Sequence, residues 1–315
     1  MKTTMKKTII ALAAAAAIFF GALPAHAVNF LDDGDTRIDL YSRLYLMYEN
    51  TDSGTITGNS SRVGLRTSHR VHDGLSVFAR AEFRYDASER TGTDVFNDRR
   101  NTYVGIDSSL GRLTVGNFDS VYFQSVSHLF DIYENEGFVA LGTGGTASRG
   151  NSVAYSSPGI HGFQLHGQVK HYDEGDSDSG DEEFVFQLAG TYEIDRLSLG
   201  FGAIVENDDA EARFAETLYG FSAQYKLLDT LDILFLAEHL KDAGTEDYHF
   251  AVGAIYDYGA GDLYASVGRD ANDDTYFGLG ANYKFSDPMR VFVEYGNGDS
   301  IDPDDIVTAG LRYDF

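Results

Sequence analysis

The sequence predicts an all-β protein, a transmembrane antiparallel β-barrel of about sixteen strands. Three observations predict this fold. Apolar and polar side chains alternate with a period of two along most of the chain, as in strands that separate two environments. Short turns alternate with longer polar connections, as expected at the two ends of a membrane barrel. The one long apolar run is N-terminal, so a bundle of membrane helices is excluded.

The N-terminal residues 1–27 have the pattern of a secretory signal peptide. Three lysines precede a nearly continuous apolar stretch, and Ala25-His26-Ala27 fits the small-x-small cleavage site. We therefore expect residues 28–315 to form the mature barrel domain outside the cytoplasm. Cleavage removes three lysines and no acids, which changes the formal net charge from −25 to −28.

The strands follow one another with little interruption after this segment. Between Leu75 and Tyr85 the odd positions are all apolar, whereas the even positions carry Ser76, Phe78, Arg80, Glu82 and Arg84. Successive strand side chains point to opposite faces, so this segment has one apolar and one mainly polar face. The same pattern predicts strands that begin near residues 36, 59, 75, 98, 111, 150, 162, 183, 196, 213, 231, 246, 261, 274, 289 and 305.

The polar faces decide between a soluble barrel and a membrane barrel. A soluble barrel would bury its apolar face inside, whereas a membrane barrel turns that face to lipid and lines an aqueous lumen with the other. The polar faces carry many long charged side chains, which a lumen can hydrate: Arg43, Arg62, Arg66, Arg80, Glu82 and Arg84. We therefore predict the membrane barrel, with these side chains lining the pore.

Composition excludes several other functions. The chain has no cysteine, which rules out thiolate chemistry and disulfides. Its 49 acidic residues against 24 basic ones argue against nucleic acid as a partner, because binding phosphates requires a basic face. No spacing of histidines and carboxylates predicts a metal centre or a nucleophile with its base, so we expect no enzyme and no cofactor.

Several segments resemble those of a general diffusion porin of the Gram-negative outer membrane. They are residues 38–43 (IDLYSR), 60–66 (SSRVGLR), 99–106 (RRNTYVGI), 111–117 (GRLTVGN) and the terminal 313–315 (YDF). The resemblance covers essentially the whole mature chain. It implies a water-filled channel in the outer membrane through which ions and small hydrophilic solutes diffuse passively. It also implies a homotrimer in contact with outer-membrane lipid and lipopolysaccharide.

In that family the third external loop folds into the barrel and narrows it. The segment from Phe118 to Arg149 is the longest connection here, and the resemblance makes it the constriction loop. Its acids would then face arginines on the opposite wall. The acids are Asp131, Glu134 and Glu136, and the arginines are Arg43, Arg62, Arg100 and Arg149. The loop lacks the family's Pro-Glu-Phe-Gly-Gly core, so which acid lines the neck stays open.

Two further expectations follow from the resemblance and the charges. Tyr313 and Phe315 at the chain end match the family's assembly signal. Opposed arginines and carboxylates would set a transverse field across the neck. Because the charges at the neck nearly balance, the net negative charge of the chain should make the pore cation-preferring.

Three alternatives remain open at this stage. A channel selective for oligosaccharides would need a row of aromatic rings, for which Tyr41 and Tyr45 are inward candidates. An outer-membrane barrel enzyme and a structural or adhesive barrel are the other two. The acidic tract 173–183 and two further acidic loops could hold Ca²⁺ or Mg²⁺ against lipopolysaccharide, with simple solvation as the alternative.

Overall fold

The structure is a computed structural model that describes most of residues 27–315. The described part excludes residues 1–26, 51–54, 59, 91–94, 97, 136, 138, 142–148, 173–182, 206–216, 242–245, 271–273 and 299–301. The predicted signal peptide up to residue 26, the loop acid Glu136 and most of the acidic tract therefore lie outside the described residues.

The described residues form strands and two short helical turns. The strands are β1 (Val28–Asp32), β2 (Thr36–Glu49), β3 (Thr55–Thr57), β4 (Ser61–His72), β5 (Leu75–Tyr85), β6 (Asp98–Ser108), β7 (Gly111–Asn117), β8 (Ser152–Ser156), β9 (Phe163–Tyr172), β10 (Glu183–Ile194), β11 (Leu197–Val205), β12 (Thr217–Leu228), β13 (Leu231–Lys241), β14 (Glu246–Asp257), β15 (Asp262–Arg269), β16 (Thr275–Ser286), β17 (Met289–Gly298) and β18 (Asp302–Asp314). Helix α1 (Val121–Ser125) and a 3₁₀ helix (Ser127–Phe130) lie between β7 and β8.

Sixteen of these strands form a closed antiparallel barrel. Strands β4 to β18 pair in sequence order, and β2 pairs with both β4 and β18. The closing seam runs from Thr308 opposite Glu49 to Asp314 opposite Arg43. Closure leaves no unpaired sheet edge, which a membrane barrel requires because lipid cannot satisfy backbone groups. The predicted sixteen-strand barrel is confirmed.

The strand positions also agree with the alternation of the sequence. Each of the sixteen barrel strands begins within four residues of its predicted start. The short strands β1 and β3, which add to β2, were not predicted. Strand β3 has only three residues, too few to show a period of two, and β1 is exposed at all five positions, so its side chains do not separate two environments.

The two faces of the wall have opposite polarity. Apolar side chains such as Leu188 (64% exposed) and Leu279 (56%) cover the outside, whereas Glu82 and Glu294 are buried inside. Register preserves this separation, since Phe221 lies opposite Phe201. A slip of one residue would turn every apolar side chain of a strand inward. None of the helices in the described residues is long and apolar enough to cross a membrane.

The apolar core lies inside the barrel, between the wall and the connection from β7 to β8. Tyr122, Val126 and Phe130 of this connection are fully buried. They pack against inward side chains of β11 to β13, including Ile204 and Leu234. These apolar residues interrupt the otherwise polar inner face. Their burial fixes where the connection attaches to the wall.

Candidate functional site

The connection between β7 and β8, residues 118–151, is here called the long loop. Two wall glutamines bind its first helical turn. Gln168 Oε1 accepts a hydrogen bond from the backbone N–H of Val121 at 2.9 Å, and Gln187 Oε1 accepts one from Tyr122 at 3.2 Å. The first N–H groups of a helix have no partner within the helix, so these side chains satisfy them. The wall thus holds the beginning of α1.

Two glycines allow the loop to approach the wall closely. A Cβ on Gly200 would lie 1.7 Å from the carbonyl oxygen of Ser125, and one on Gly220 would lie 2.0 Å from the hydroxyl of Tyr122. No side chain larger than hydrogen fits either position without a shift of the loop or of the tyrosine ring. Glycine at these two positions therefore lets α1 pack directly against the backbone of β11 and β12.

Glu294 on β17 binds the far part of the long loop. Its carboxylate accepts hydrogen bonds from the backbone N–H groups of Glu134 at 2.8 Å and Asn135 at 2.9 Å. The hydroxyl of Tyr264 donates a third bond at 2.6 Å. A buried carboxylate is costly unless it is fully hydrogen-bonded, and these donors supply that compensation.

Glu238 on β13 binds the loop at three other points. Its carboxylate accepts hydrogen bonds from the hydroxyl of Tyr122 at 2.8 Å, from Ser127 Oγ at 3.3 Å and from the N–H of Leu141 at 2.7 Å. Glu238 therefore holds the loop near its beginning and after its middle, and Glu294 holds the segment between these points. Sequence analysis placed neither residue in the site.

Arginines dominate another part of the wall, which begins on β17, the strand of Glu294. Their side chains extend inward from β17, β18, β2, β4, β5 and β6: Arg290, Arg312, Arg43, Arg62, Arg66, Arg80, Arg84 and Arg100. Several are direct cross-strand partners: Arg290 with Arg312, Arg43 with Arg62, Arg62 with Arg84, and Arg66 with Arg80. Like charges in direct opposition destabilise a sheet. Fold stability therefore does not explain this arrangement, which we call the arginine wall.

Two carboxylates compensate part of the arginine wall. Glu82 contacts Arg80 Nη2 at 2.5 Å and Arg100 Nη1 at 2.8 Å. Asp314 contacts Arg43 Nε at 2.6 Å and Arg312 Nε at 2.7 Å. Each carboxylate bridges two guanidinium groups, which leaves the remaining arginines with less compensation.

Arg62 and Arg66 are the least compensated cations of the wall. Within the described residues, the Arg62 guanidinium makes no hydrogen bond or ion pair with a carboxylate. Arg66 lies over the ring of Tyr41, 4.4 Å from its centroid. A cation over an aromatic face keeps its full charge, because the ring attracts it without neutralising it. Both charges therefore act on the lumen.

The arginine wall and the long loop enclose a cavity of about 720 Å³. On the loop side Gln124, His128 and Asp131 line it. Seven arginines and six carboxylates line the cavity in total. The arginines are Arg43, Arg62, Arg66, Arg80, Arg100, Arg290 and Arg312, and the carboxylates are Glu82, Asp119, Asp131, Glu193, Asp287 and Asp314. The fixed charges at this level thus nearly balance.

A second cavity of about 270 Å³ adjoins the first. Arg84, Arg100 and Arg149 line it together with Asp131. Both cavities share Arg100, Phe123 and Asp131, which therefore mark the boundary between them. The side chain of Asp131 is 55% exposed, so its charge is presented to the lumen. Basic and acidic groups consequently face each other across this boundary.

Two residues predicted for the neck have other contacts. Glu134 contacts Arg312 Nη1 at 2.8 Å beside the wall and lines neither cavity. Arg149 donates a hydrogen bond from Nε to Asp119 of the same loop at 2.5 Å. Burial raises the pKa of Glu134, although nearby guanidinium groups oppose the rise. Burial also acts on Asp119, but Arg100 and Arg149 hold the pKa of that carboxyl below its usual range.

A family model described as Gram-negative porin matches residues 11–302 of the chain. The chain belongs to this porin family. The porin is 24% identical to the "Monosaccharide porin" of a Halomonas species, across 99% of this chain and 100% of that protein. It is 26% identical to a "Major outer membrane protein" of Pasteurella multocida, with the same coverage of both chains.

Solved structures of low sequence identity share the fold of this porin. OmpF of Salmonella typhi, solved with daunomycin, superposes with a TM-score of 0.72 at 14% identity and covers 91% of this chain and 100% of its own. OmpT of Vibrio cholerae, in a trimer form, gives a TM-score of 0.63 at 18% identity, with 89% and 100% covered. The predictions of a porin, of an outer-membrane location and of a passive diffusion channel are confirmed.

Sequence analysis of this porin did not nominate several residues of the site, among them four charged residues of the larger cavity. Arg290, Arg312, Asp119 and Asp314 all line the larger cavity. Arg312 and Asp314 stand on the polar face of the last strand, so the alternation that nominated Arg43 could have nominated them. Asp119 lies in the loop, where no periodicity indicates direction.

Proposed function

We propose that the neck of this porin lies where the arginine wall faces Asp131 of the long loop. The observation that carries the proposal is that two adjoining cavities share Arg100, Phe123 and Asp131. A solute that passes between the cavities must pass these residues. Guanidinium groups on one side and a carboxylate on the other produce a transverse field in a narrow aqueous neck. Such a field orients polar solutes and hydrated ions.

The pore is cation-preferring in this proposal. Seven arginines and six carboxylates line the larger cavity, so the local charges contribute little net preference. The chain as a whole carries a net charge of −25, and −28 without residues 1–27. That excess raises the cation concentration at the entrances. Salt screens charges beyond about 8 Å at physiological ionic strength, so the preference should weaken as salt rises.

The substrates are ions and small hydrophilic solutes in general. The name of the Halomonas "Monosaccharide porin" favours sugars as a second candidate. A sugar-selective pore would benefit from aromatic rings presented to the lumen. Tyr41 and Tyr45 point inward but are only 4% and 1% exposed. They pack within the wall, which supports the general channel over a channel selective for oligosaccharides.

The functional unit is a homotrimer without enzymatic activity. A trimer form of OmpT supports this assembly. On the lipid-facing side of β4 to β6, small side chains including Thr67 and Ala79 leave an apolar groove of about 430 Å³. Contact between subunits would fill it. Purified protein should hydrolyse neither lipid nor peptide, which an outer-membrane enzyme would do, and should conduct, which a purely structural or adhesive barrel would not.

The remaining proposals concern segments outside the described residues. Residues 1–27 act as a cleaved signal peptide. The acidic external loops contact lipopolysaccharide, either through water alone or through bridging Ca²⁺ or Mg²⁺.

The test is the reversal potential of single channels in a planar bilayer under a salt gradient. We expect a potential whose sign indicates cation preference and whose size falls with rising mean salt. A wild-type channel that prefers anions would contradict the proposed selectivity. An absence of conductance from correctly folded protein would contradict the channel itself.

A further inference from the structure

Three buried polar side chains behind the long loop form a chain of hydrogen bonds. Glu238 on β13, His249 on β14 and Tyr276 on β16 are at most 1% exposed. Glu238 Oε2 lies 3.1 Å from His249 Nδ1, and His249 Nε2 lies 2.7 Å from the hydroxyl of Tyr276. An imidazole between a carboxylate and a phenol is an expensive group to bury, and lining the lumen does not explain it.

These three side chains contact the long loop both near its beginning and towards its end. Glu238 binds Tyr122 near the beginning of the loop and the N–H of Leu141 near its end. The hydroxyl of Tyr276 also lies within hydrogen-bond distance of the carbonyl oxygen of Val139, at 3.2 Å. The same three wall residues therefore hold two loop segments that are far apart in sequence.

The number of protons on His249 determines how many of these bonds exist at once. A tyrosine hydroxyl has one proton to donate. If His249 is neutral and its Nδ1–H points to Glu238, then Nε2 is an acceptor and takes the Tyr276 proton. If His249 is protonated, Nε2–H donates to the Tyr276 oxygen instead. The Tyr276 proton is then available to Val139.

We propose that Glu238, His249 and Tyr276 form a proton-dependent latch that positions the long loop. Uptake of a proton by His249 transfers the hydrogen bond of Tyr276 from the imidazole to the loop carbonyl. It also turns the contact with Glu238 into an ion pair. Lower pH therefore holds the loop more firmly against the wall. The expected effect on current rests on the proposed neck, whereas the effect on the loop does not.

Carboxylates and phenols lie near His249 and Tyr276 within the described residues. Glu238 faces it from β13, and Asp270 lies just after β15 beside Tyr276. The other titratable groups nearby are phenols, Tyr122 of α1 and Tyr133 of the loop.

A glycine on the neighbouring strand makes room for the latch. A Cβ on Gly268 of β15 would lie 2.4 Å from the ring of Tyr276. The ring of Tyr276 therefore packs directly over Gly268, and any larger residue at position 268 would displace the ring. This close fit fixes the hydroxyl at a distance from which it can reach either His249 or Val139.

The first test measures hydrogen–deuterium exchange of the loop amides in the purified porin. Wild type is compared with His249→Gln at about pH 8 and about pH 6, the range in which histidines change charge. Glutamine offers a donor and an acceptor but gains no proton, so it imitates neutral histidine. We expect equal exchange at the higher pH. At the lower pH, wild type should exchange about fivefold more slowly, the effect of one hydrogen bond.

Matched variants separate the latch from a general effect of substitution. Tyr276→Phe should abolish the pH-dependent difference, because the transferable proton is gone. His239→Gln is the control, since that histidine is on the same strand as Glu238 but its ring stacks on Tyr248 of the lipid-facing side, 4.4 Å away. It should behave as wild type.

The second test counts brief current interruptions in single channels of the same proteins. In wild type they should become about fivefold rarer on going to the lower pH, whereas His249→Gln should show no change. Slower exchange of the loop amides at the lower pH, without any change in the frequency of current interruptions, would support the latch and contradict the proposed neck. Equal loop exchange in wild type and His249→Gln at both pH values would overturn the latch itself.

Discussion

Asp119 and Arg149 join the two ends of the long loop, since Arg149 Nε donates a hydrogen bond to Asp119 Oδ1 at 2.5 Å. Asp119 follows β7 and Arg149 precedes β8. Arg100 of the wall approaches the same carboxylate at 3.8 Å. The ion pair therefore joins the two ends of the loop and ties them to the arginine wall, while Glu294 holds the middle of the loop at Glu134 and Asn135.

The two loop acids should respond differently to acid. The pKa of Glu134 is raised, so it takes up a proton at a higher pH than an exposed glutamate, and Arg312 then loses one of its two carboxylate partners and keeps Asp314. The pKa of Asp119 is lowered, so it stays ionised through the same range. We expect cation preference to fall as pH is lowered, beginning above the ordinary glutamate pKa of about 4.3.

Reversal potentials at a series of pH values measure this step. Glu134→Gln should remove it, whereas Asp119→Asn should keep it. A step that survives in Glu134→Gln would assign the titration to another group.

Removing a positive charge from the lumen should increase cation preference, and removing a negative charge should decrease it. Arg62→Ala and Arg100→Ala should increase cation preference and conductance. Glu134→Gln should decrease the preference because it removes one of the two carboxylates that pair with Arg312. One charge about 8 Å from the ion path in water is worth about 0.5 kcal/mol, or roughly a twofold change in permeability ratio. Arg196→Ala, which breaks an exposed pair with Asp229 in a turn, is the control and should change nothing. Unchanged reversal potentials in the lumen variants would disprove the site assignment.

Gly200→Ala should narrow the pore. Its Cβ would lie 1.7 Å from the carbonyl oxygen of Ser125, so the loop must move towards the lumen. We expect lower single-channel conductance and a cost of about 1–3 kcal/mol in stability, as for other overpacked sites. Gly167→Ala is the matched control, because no atom lies within 4 Å of its added Cβ. Equal conductance of the two variants would mean that the loop does not depend on this contact.

The chain end should matter for assembly more than for conduction. Phe315 exchanges two backbone hydrogen bonds with Ser42 at 2.6 and 2.9 Å, and its ring stacks on Tyr313 on the outer face. Deletion of Phe315 should leave unfolded protein in the periplasm, as measured by heat-modifiable bands in membrane fractions. Phe315→Tyr keeps the ring and the backbone bonds and should assemble normally. Wild-type membrane levels of the deletion would argue against an assembly signal.

Assembly into trimers should depend on the outer groove. Native gels should contain a heat-dissociable species of about three times the monomer mass. Ala79→Phe fills the groove of β4 to β6 and should weaken this species. Ala265→Phe makes the same change on β15, which lies in another part of the wall, and should not. A monomer in mild detergent for the wild type would contradict the trimer.

Alternation along the chain predicted the barrel and the face of each strand that meets lipid. A side-chain period of two assigns each residue to one face, and the membrane requires one apolar face and a closed ring of strands. That is why the start of each barrel strand was predicted within four residues. The same alternation put Arg43, Arg62, Arg66 and Arg80 on the polar face of their strands, and these four residues line the larger cavity.

Only the tertiary structure decided which charges meet. The pairing of Arg149 with Asp119 and of Glu134 with Arg312 depends on the path of the long loop, which has no periodicity to reveal its direction. Glu238 and Glu294 became anchors because the loop passes over them, although on their own strands they are ordinary inward acids. Alternation is a local property of each strand and can be recognised without knowing which segments pack together. Many of these contacts join residues more than a hundred positions apart, and they exist only once the barrel has closed around the loop.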